Sequence, residues 1–174
     1  GVLAFEGFAV WAPVPPALQL AVEAVAALLW MHLALRWGLA RSLKFRLLAM
    51  LHIGFAWLGV AMALQAATHA LALLGGPTLG LAPLHAYTMG FLGSTLVAMA
   101  TRVSAGHSGR PLAVDTPVWL LFWLLQAAVA GRIMADLAGV PVWLPALAWA
   151  AALLPWGWRH LGWYGRPRLD GQPG

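Results

Sequence analysis

Five apolar runs, each close to the thickness of a bilayer, recur along this chain and constrain its fold more than any single motif does. They run roughly from Ala17 to Trp37, Leu47 to Leu74, Pro83 to Val103, Pro117 to Leu137 and Pro141 to Trp158. A ~30 Å hydrocarbon core takes about 20 helical residues to cross. The reading is therefore an all-α, polytopic transmembrane bundle of about five spanning helices. Residues 13–160 form the bundle, 1–12 read as the end of a preceding helix with its loop, and 161–174 read as a cytoplasmic disordered tail. The breaker Pro13-Val14-Pro15-Pro16 opens the first span, and Pro83, Pro117 and Pro141 sit at helix starts, where a missing N–H is harmless. Pro145 and Pro155 are expected to bend the last span.

The loops carry the orientation. Arg36, Arg41, Lys44 and Arg46 flank or fill the first; Arg102 and Arg110 the third; Arg159, Arg166 and Arg168 follow the last span. The second and fourth connections have no basic residue. Such alternation follows the positive-inside rule and puts the C-terminus in the cytoplasm. Trp37, Trp119, Trp156, Trp158 and Trp163 then form an inner aromatic belt. The same placement explains the net charge of +5 without a nucleic-acid partner; the partner is membrane lipid.

Only 9% of the residues are charged, so each ionisable group inside a span counts. There is no cysteine, which removes disulfides, thiolate metal sites and thiol nucleophiles. A metal would have to rest on histidine, carboxylate, methionine or backbone oxygen. His52, one and a half turns into the second span, is either a ligand or a core histidine bonded to a neighbouring helix. His69 and His85 fall at similar depth on antiparallel neighbours, which allows a two-histidine site or two solvated interfacial rings. His107 lies in Gly-His-Ser-Gly-Arg, which suits an anion or a haem propionate, or is simply a tight turn. His32 and His160 read as interfacial. Glu23 needs a partner, a proton or a water-filled cavity, with Arg132 one candidate partner; Arg132 and Asp136, four apart, can pair on one face. Ala86, Gly90, Ser94 and Ala98 recur every four residues, a small-residue ridge that admits another helix or a flat macrocycle. No phosphate loop, nucleophile elbow or HExxH is present.

LHIGFAWLGVAM, and HAYTMGFLGSTLVAMATRVSAGHSGRPL with its histidine, glycine-rich helix and R-x-x-x-G-H-[ST]-G-R, resemble the NnrS family of bacterial inner-membrane proteins. The positions that carry the resemblance are His52, Trp57, His85, Gly90, Arg102, Gly106, His107, Gly109 and Arg110. The resemblance implies a multi-pass protein of the bacterial inner membrane that contains haem and copper. It implies a role in the response to nitric oxide, in protection from nitrosative stress and in denitrification, with nitric oxide or a metal-nitrosyl species as partner. It also implies a longer protein, of which this chain is the C-terminal part, completed by missing N-terminal helices. On that basis His52, His85 and His107 are the metal candidates, and Arg102 and Arg110 neutralise propionates or an anion; His69 lies outside the matching stretches and stays a cofactor candidate on its position in the span alone. Two other classes stay open: a transporter or channel subunit using Glu23 and the Arg132–Asp136 pair, and a cofactor-free scaffold. Whether the protein turns over a substrate is also open.

Overall fold

Prolines and glycines set the helix ends. The computed structural model describes residues 5, 7, 11 and 14–171, so the expected end of a preceding helix falls mostly outside the described residues. Helix α1 (Pro16–Arg36) starts on a proline, as its sequence requires. Gly38, with φ of 100°, turns the chain into the short α2 (Leu39–Ser42) and on to α3 (Arg46–Leu73). After a loop come α4 (Ala82–His85), a π-helical segment (Ala86–Gly93) and α5 (Ser94–His107), which follow one another without a break. Asp115 caps α6 (Thr116–Ala138) by accepting from the Val118 N–H at 3.2 Å, and Gly139 ends it in the left-handed conformation. Helix α7 (Trp143–Leu161) closes the bundle.

All regular structure among the described residues is helical. Three helices, α1, α3 and α6, are each long and apolar enough to cross a membrane. The third expected span departs from a plain helix: its α4–π–α5 path runs from Ala82 to His107, with a π-helical stretch inside it. The last span runs through Pro155 as one helix. That proline has no N–H, so the Ala151 carbonyl lacks its normal helical donor. Pro145 falls in the first turn of α7, where a proline breaks no bond.

Lipid is the solvent that this surface fits. Leu28, Leu96, Leu120, Leu147 and Leu154 all point outward, each more than half exposed. The interior is a seam of small and medium side chains. Helix α1 packs along α3 through Ala26, Ala27 and Met62. Met50, Ala98, Phe122, Leu125 and Ala152 join α3, α5, α6 and α7 at one level, and Ala61, Ala86, Val129 and Ile133 join α3, the π segment and α6 at another.

The basic parts of the chain meet at one end. Arg46, at the start of α3, donates to the Val114 carbonyl at 3.3 Å and to Thr116 Oγ1 at 3.1 Å. Arg159, near the end of α7, pairs with Asp115. Residues 161–171, read from sequence as a disordered tail, turn back here: the Leu169 N–H donates to the Ser108 carbonyl at 3.1 Å, and Tyr164 and Ser104 share a hydroxyl hydrogen bond of 2.8 Å. Residues 172–174 lie outside the described residues.

Candidate functional site

At the end of the bundle away from the basic loops, two imidazoles are held by carboxylates on other helices. Asp136, on the last turn of α6, faces His85 at the end of α4. The His85 Nδ1–H donates to Asp136 Oδ2 at 2.8 Å. The second oxygen of Asp136 accepts from Arg132 at 2.6 Å, across one turn of α6. All three side chains are less than one-fifth exposed. The i, i+4 pairing read from the sequence is therefore present and extends to a third residue on another helix. Arg132 holds the carboxylate in place, the carboxylate orients the imidazole through Nδ1, and Nε2 has no hydrogen-bond partner among the described residues.

Glu23 of α1 and His69 of α3 make the second pair, with Nδ1 and Oε2 at 2.7 Å. Glu23 is fully buried, and its Oε1 has no hydrogen-bond partner among the described residues. Arg132, the partner considered from the sequence, is instead committed to Asp136. Glu23 and His69 share no local motif. Sequence reading paired His69 in depth with His85 and Glu23 with Arg132, so the Glu23–His69 contact is a finding of the structure.

His52 is anchored more simply. Its Nδ1 meets the Leu48 carbonyl one turn back at 3.1 Å, again leaving Nε2 free. One turn further along α3, Trp57 lies against Gly90. A Cβ on Gly90 would come within 2.7 Å of the indole, so any larger residue would force the ring or the helix to shift. The Trp57 N–H donates to Gln126 Oε1 at 2.7 Å, and Gln126 Nε2 donates to Ser94 Oγ at 2.9 Å. The small-residue ridge thus takes a tryptophan and a neighbouring helix rather than a macrocycle: Ala86, Ser94 and Ala98 are wholly buried by them. Gln126 went unnoticed in the sequence because an amide in an apolar run carries no spacing signal.

The Gly-His-Ser-Gly-Arg stretch is a helix stop. His107 is the last residue of α5 rather than a loop residue. Gly109 has φ of 65°, its N–H donates to the Gly106 carbonyl at 3.2 Å, and the Arg110 N–H donates to the Ala105 carbonyl at 2.9 Å. That pair of bonds is the Schellman closure. It uses both backbone N–H groups that an anion would have needed. The two side chains part company: His107 is exposed and borders a cavity of about 100 Å3 beside Tyr164 and Arg166. Arg110 lies 4.4 Å over the Trp163 ring and lines a different cavity, of about 550 Å3. Arg102 is exposed on α5.

The ligand chemistry can be tested against this geometry. Among the described residues no three of His, Asp and Glu converge as a metal cage would require. Three of the histidines singled out from sequence, His52, His69 and His85, nonetheless share the form of a metal-binding imidazole, with Nδ1 held by an oxygen and Nε2 without a hydrogen-bond partner among the described residues. That donor set fits a centre taking one or two imidazoles, as haem iron does. It does not by itself complete a three- or four-ligand site.

Comparison with curated proteins and with solved structures returns no match. The family model described as NnrS protein matches residues 1–168, nearly the whole chain, and the chain belongs to that family.

Proposed function

We propose that this chain supplies imidazole ligands in a haem- and copper-binding protein of the bacterial inner membrane, acting in the response to nitric oxide and in protection from nitrosative stress, linked to denitrification. The observation that carries the reading is the Arg132–Asp136–His85 relay. An ion-paired carboxylate within a span is expensive unless it serves a purpose. Here it orients an imidazole in the tautomer that a metal needs. His85 and His52 are the residues that would hold the two metals, at different depths, with His69 as a third donor. When bound, haem iron and copper supply the redox-active centres to which nitric oxide can add. The chain's own contribution is orientation and charge. Asp136 orients the His85 ring, Arg132 holds Asp136 in place, and the Leu48 carbonyl sets the tautomer of His52.

The test is a visible spectrum and metal analysis of the full-length protein in detergent, beside His85→Ala and His52→Ala. Loss of the Soret band in one variant and of copper in the other assigns two sites. A colourless, metal-free parent sinks the reading. The transporter reading would then lead, since buried Glu23, with one oxygen unpartnered, is the feature a proton path would use. Flux abolished by Glu23→Gln would be its signature.

A further inference from the structure

The cavity of about 550 Å3 at the basic end has features that the metal reading does not use. We propose that it is a binding groove for the headgroup of an anionic phospholipid, with the phosphate held between Arg110 and Arg159. Arg110 forms no ion pair among the described residues; the Schellman turn fixes its backbone and the Trp163 ring fixes its guanidinium. Arg159 stands at the other side, paired with Asp115 and 6.0 Å from the same ring. Two guanidiniums and one carboxylate leave a single positive charge, which matches one phosphodiester and not the two propionates of a haem. The planar guanidinium of arginine can donate two parallel N–H bonds to a pair of phosphate oxygens.

His160 supplies the second, independent observation. It lines the same groove and is 3% exposed. Its Nδ1 bonds the Trp156 carbonyl at 2.7 Å, while Nε2 is buried with no partner among the described residues. With the proton on Nδ1, Nε2 is an acceptor, and a headgroup hydroxyl is the matching donor once the side chains that cover it shift on binding. Val114, Val118 and Leu169 give the rest of the wall its apolar character, so one site offers charge to the head and hydrocarbon to the glycerol and chains. The location fits as well, because basic pockets between spans at the loop end are where anionic headgroups bind. Sequence reading set His160 aside as interfacial and centred on His107, which lies outside the groove.

The experiment is native mass spectrometry of the full-length protein in detergent, titrated with phosphatidylglycerol or phosphatidylcholine. The wild type should retain one phosphatidylglycerol at least ten-fold more than phosphatidylcholine. Arg110→Gln should abolish that preference. Ala113→Trp should do the same by filling the exposed rim of the groove without changing its charge. Arg166→Gln, which removes a charge outside the groove, should leave the preference intact. Equal retention of the two lipids by the wild type would overturn the proposal, as would a preference that survives both Arg110→Gln and Ala113→Trp. Displacement by sn-glycerol 3-phosphate at matched concentration would make this a soluble-anion site and overturn the lipid assignment. Loss of a haem adduct in Arg110→Gln with lipid retention unchanged would assign the guanidinium to a propionate and overturn it too. The expected result does not depend on the metal reading, since it is scored on lipid mass alone.

Discussion

Asp136 carries two partners, and its two oxygens are not equivalent. One holds Arg132 on its own helix and the other holds His85 across the bundle. Replacing it with Asn keeps the shape, leaves Arg132 without a counter-charge in a low-dielectric setting and frees His85 to change tautomer. Removing one member of a buried pair typically costs about 3–5 kcal/mol, because the other charge is left uncompensated. Asp136→Asn should therefore lower the thermal midpoint of the detergent-solubilised protein, and adding Arg132→Gln should restore more than half of the loss. A double variant no better than the single would mean that the pair does not act as a unit. Glu23 gives the contrasting case. It is already fully buried with only one oxygen bonded, so Glu23→Gln should lie within about 1 kcal/mol of wild type, whereas His69→Leu strands the carboxyl and should cost about 3 kcal/mol. Thermal midpoints of the two variants side by side decide it.

The helix that breaks the α pattern is also the one whose ridge was plainest in the sequence. Ala86, Gly90, Ser94 and Ala98 stand at steps of four. A four-residue step overshoots one turn of an α-helix, with its 3.6 residues per turn, and undershoots the wider turn of a π-helix with its i→i+5 bonds. The stripe crosses from the π segment into α5, so the two drifts oppose each other and the ridge stays on one face. The ridge was legible because spacing encodes it. The π geometry was not, because no residue spacing marks it; in the structure the indoles of Trp57 and Trp149 lie against Gly90 and Gly93 within that segment. The same division runs through the site: the Arg132–Asp136 pair lies within one helix and could be read, while His85–Asp136 and Glu23–His69 lie between helices, where sequence spacing carries no signal. Gly90→Ala would put a Cβ 2.7 Å from the Trp57 ring and should destabilise by about 1–3 kcal/mol. Gly157→Ala meets nothing within 4 Å and should gain up to about 1 kcal/mol from helix propensity alone. Denaturation of the two variants in the same detergent separates the close approach from the general effect of adding a methyl group.

At the scale of the molecule, the polar residues divide between two ends with an apolar seam between them. Arg46, Asp115, Arg159 and the Gly109–Arg110 turn come together at one end, although they are far apart in the chain. His69, His85 and Asp136 lie toward the other. Loops at the first end are basic and those at the second are not, which is the asymmetry the positive-inside rule converts into orientation. Three helices qualify as spans by length and apolarity. The α4–π–α5 path and α7 must cross as well if the basic loops are to stay on one side, because α1 and α3 alone would return the chain to its starting face. That argument can be tested directly, since the chain has no cysteine and each introduced thiol reports one position. Thr78→Cys lies in the exposed loop before α4, and Lys44→Cys in the exposed turn before α3. A membrane-impermeant maleimide applied to cells with a permeabilised outer membrane should label Thr78→Cys and spare Lys44→Cys, and Gly165→Cys beyond α7 should be spared as well. Opening the inner membrane should then expose all three. Labelling of Gly165→Cys in intact cells would mean that one of the two shorter paths does not cross, and the groove beside Trp163 would then face the wrong leaflet for the orientation argued here.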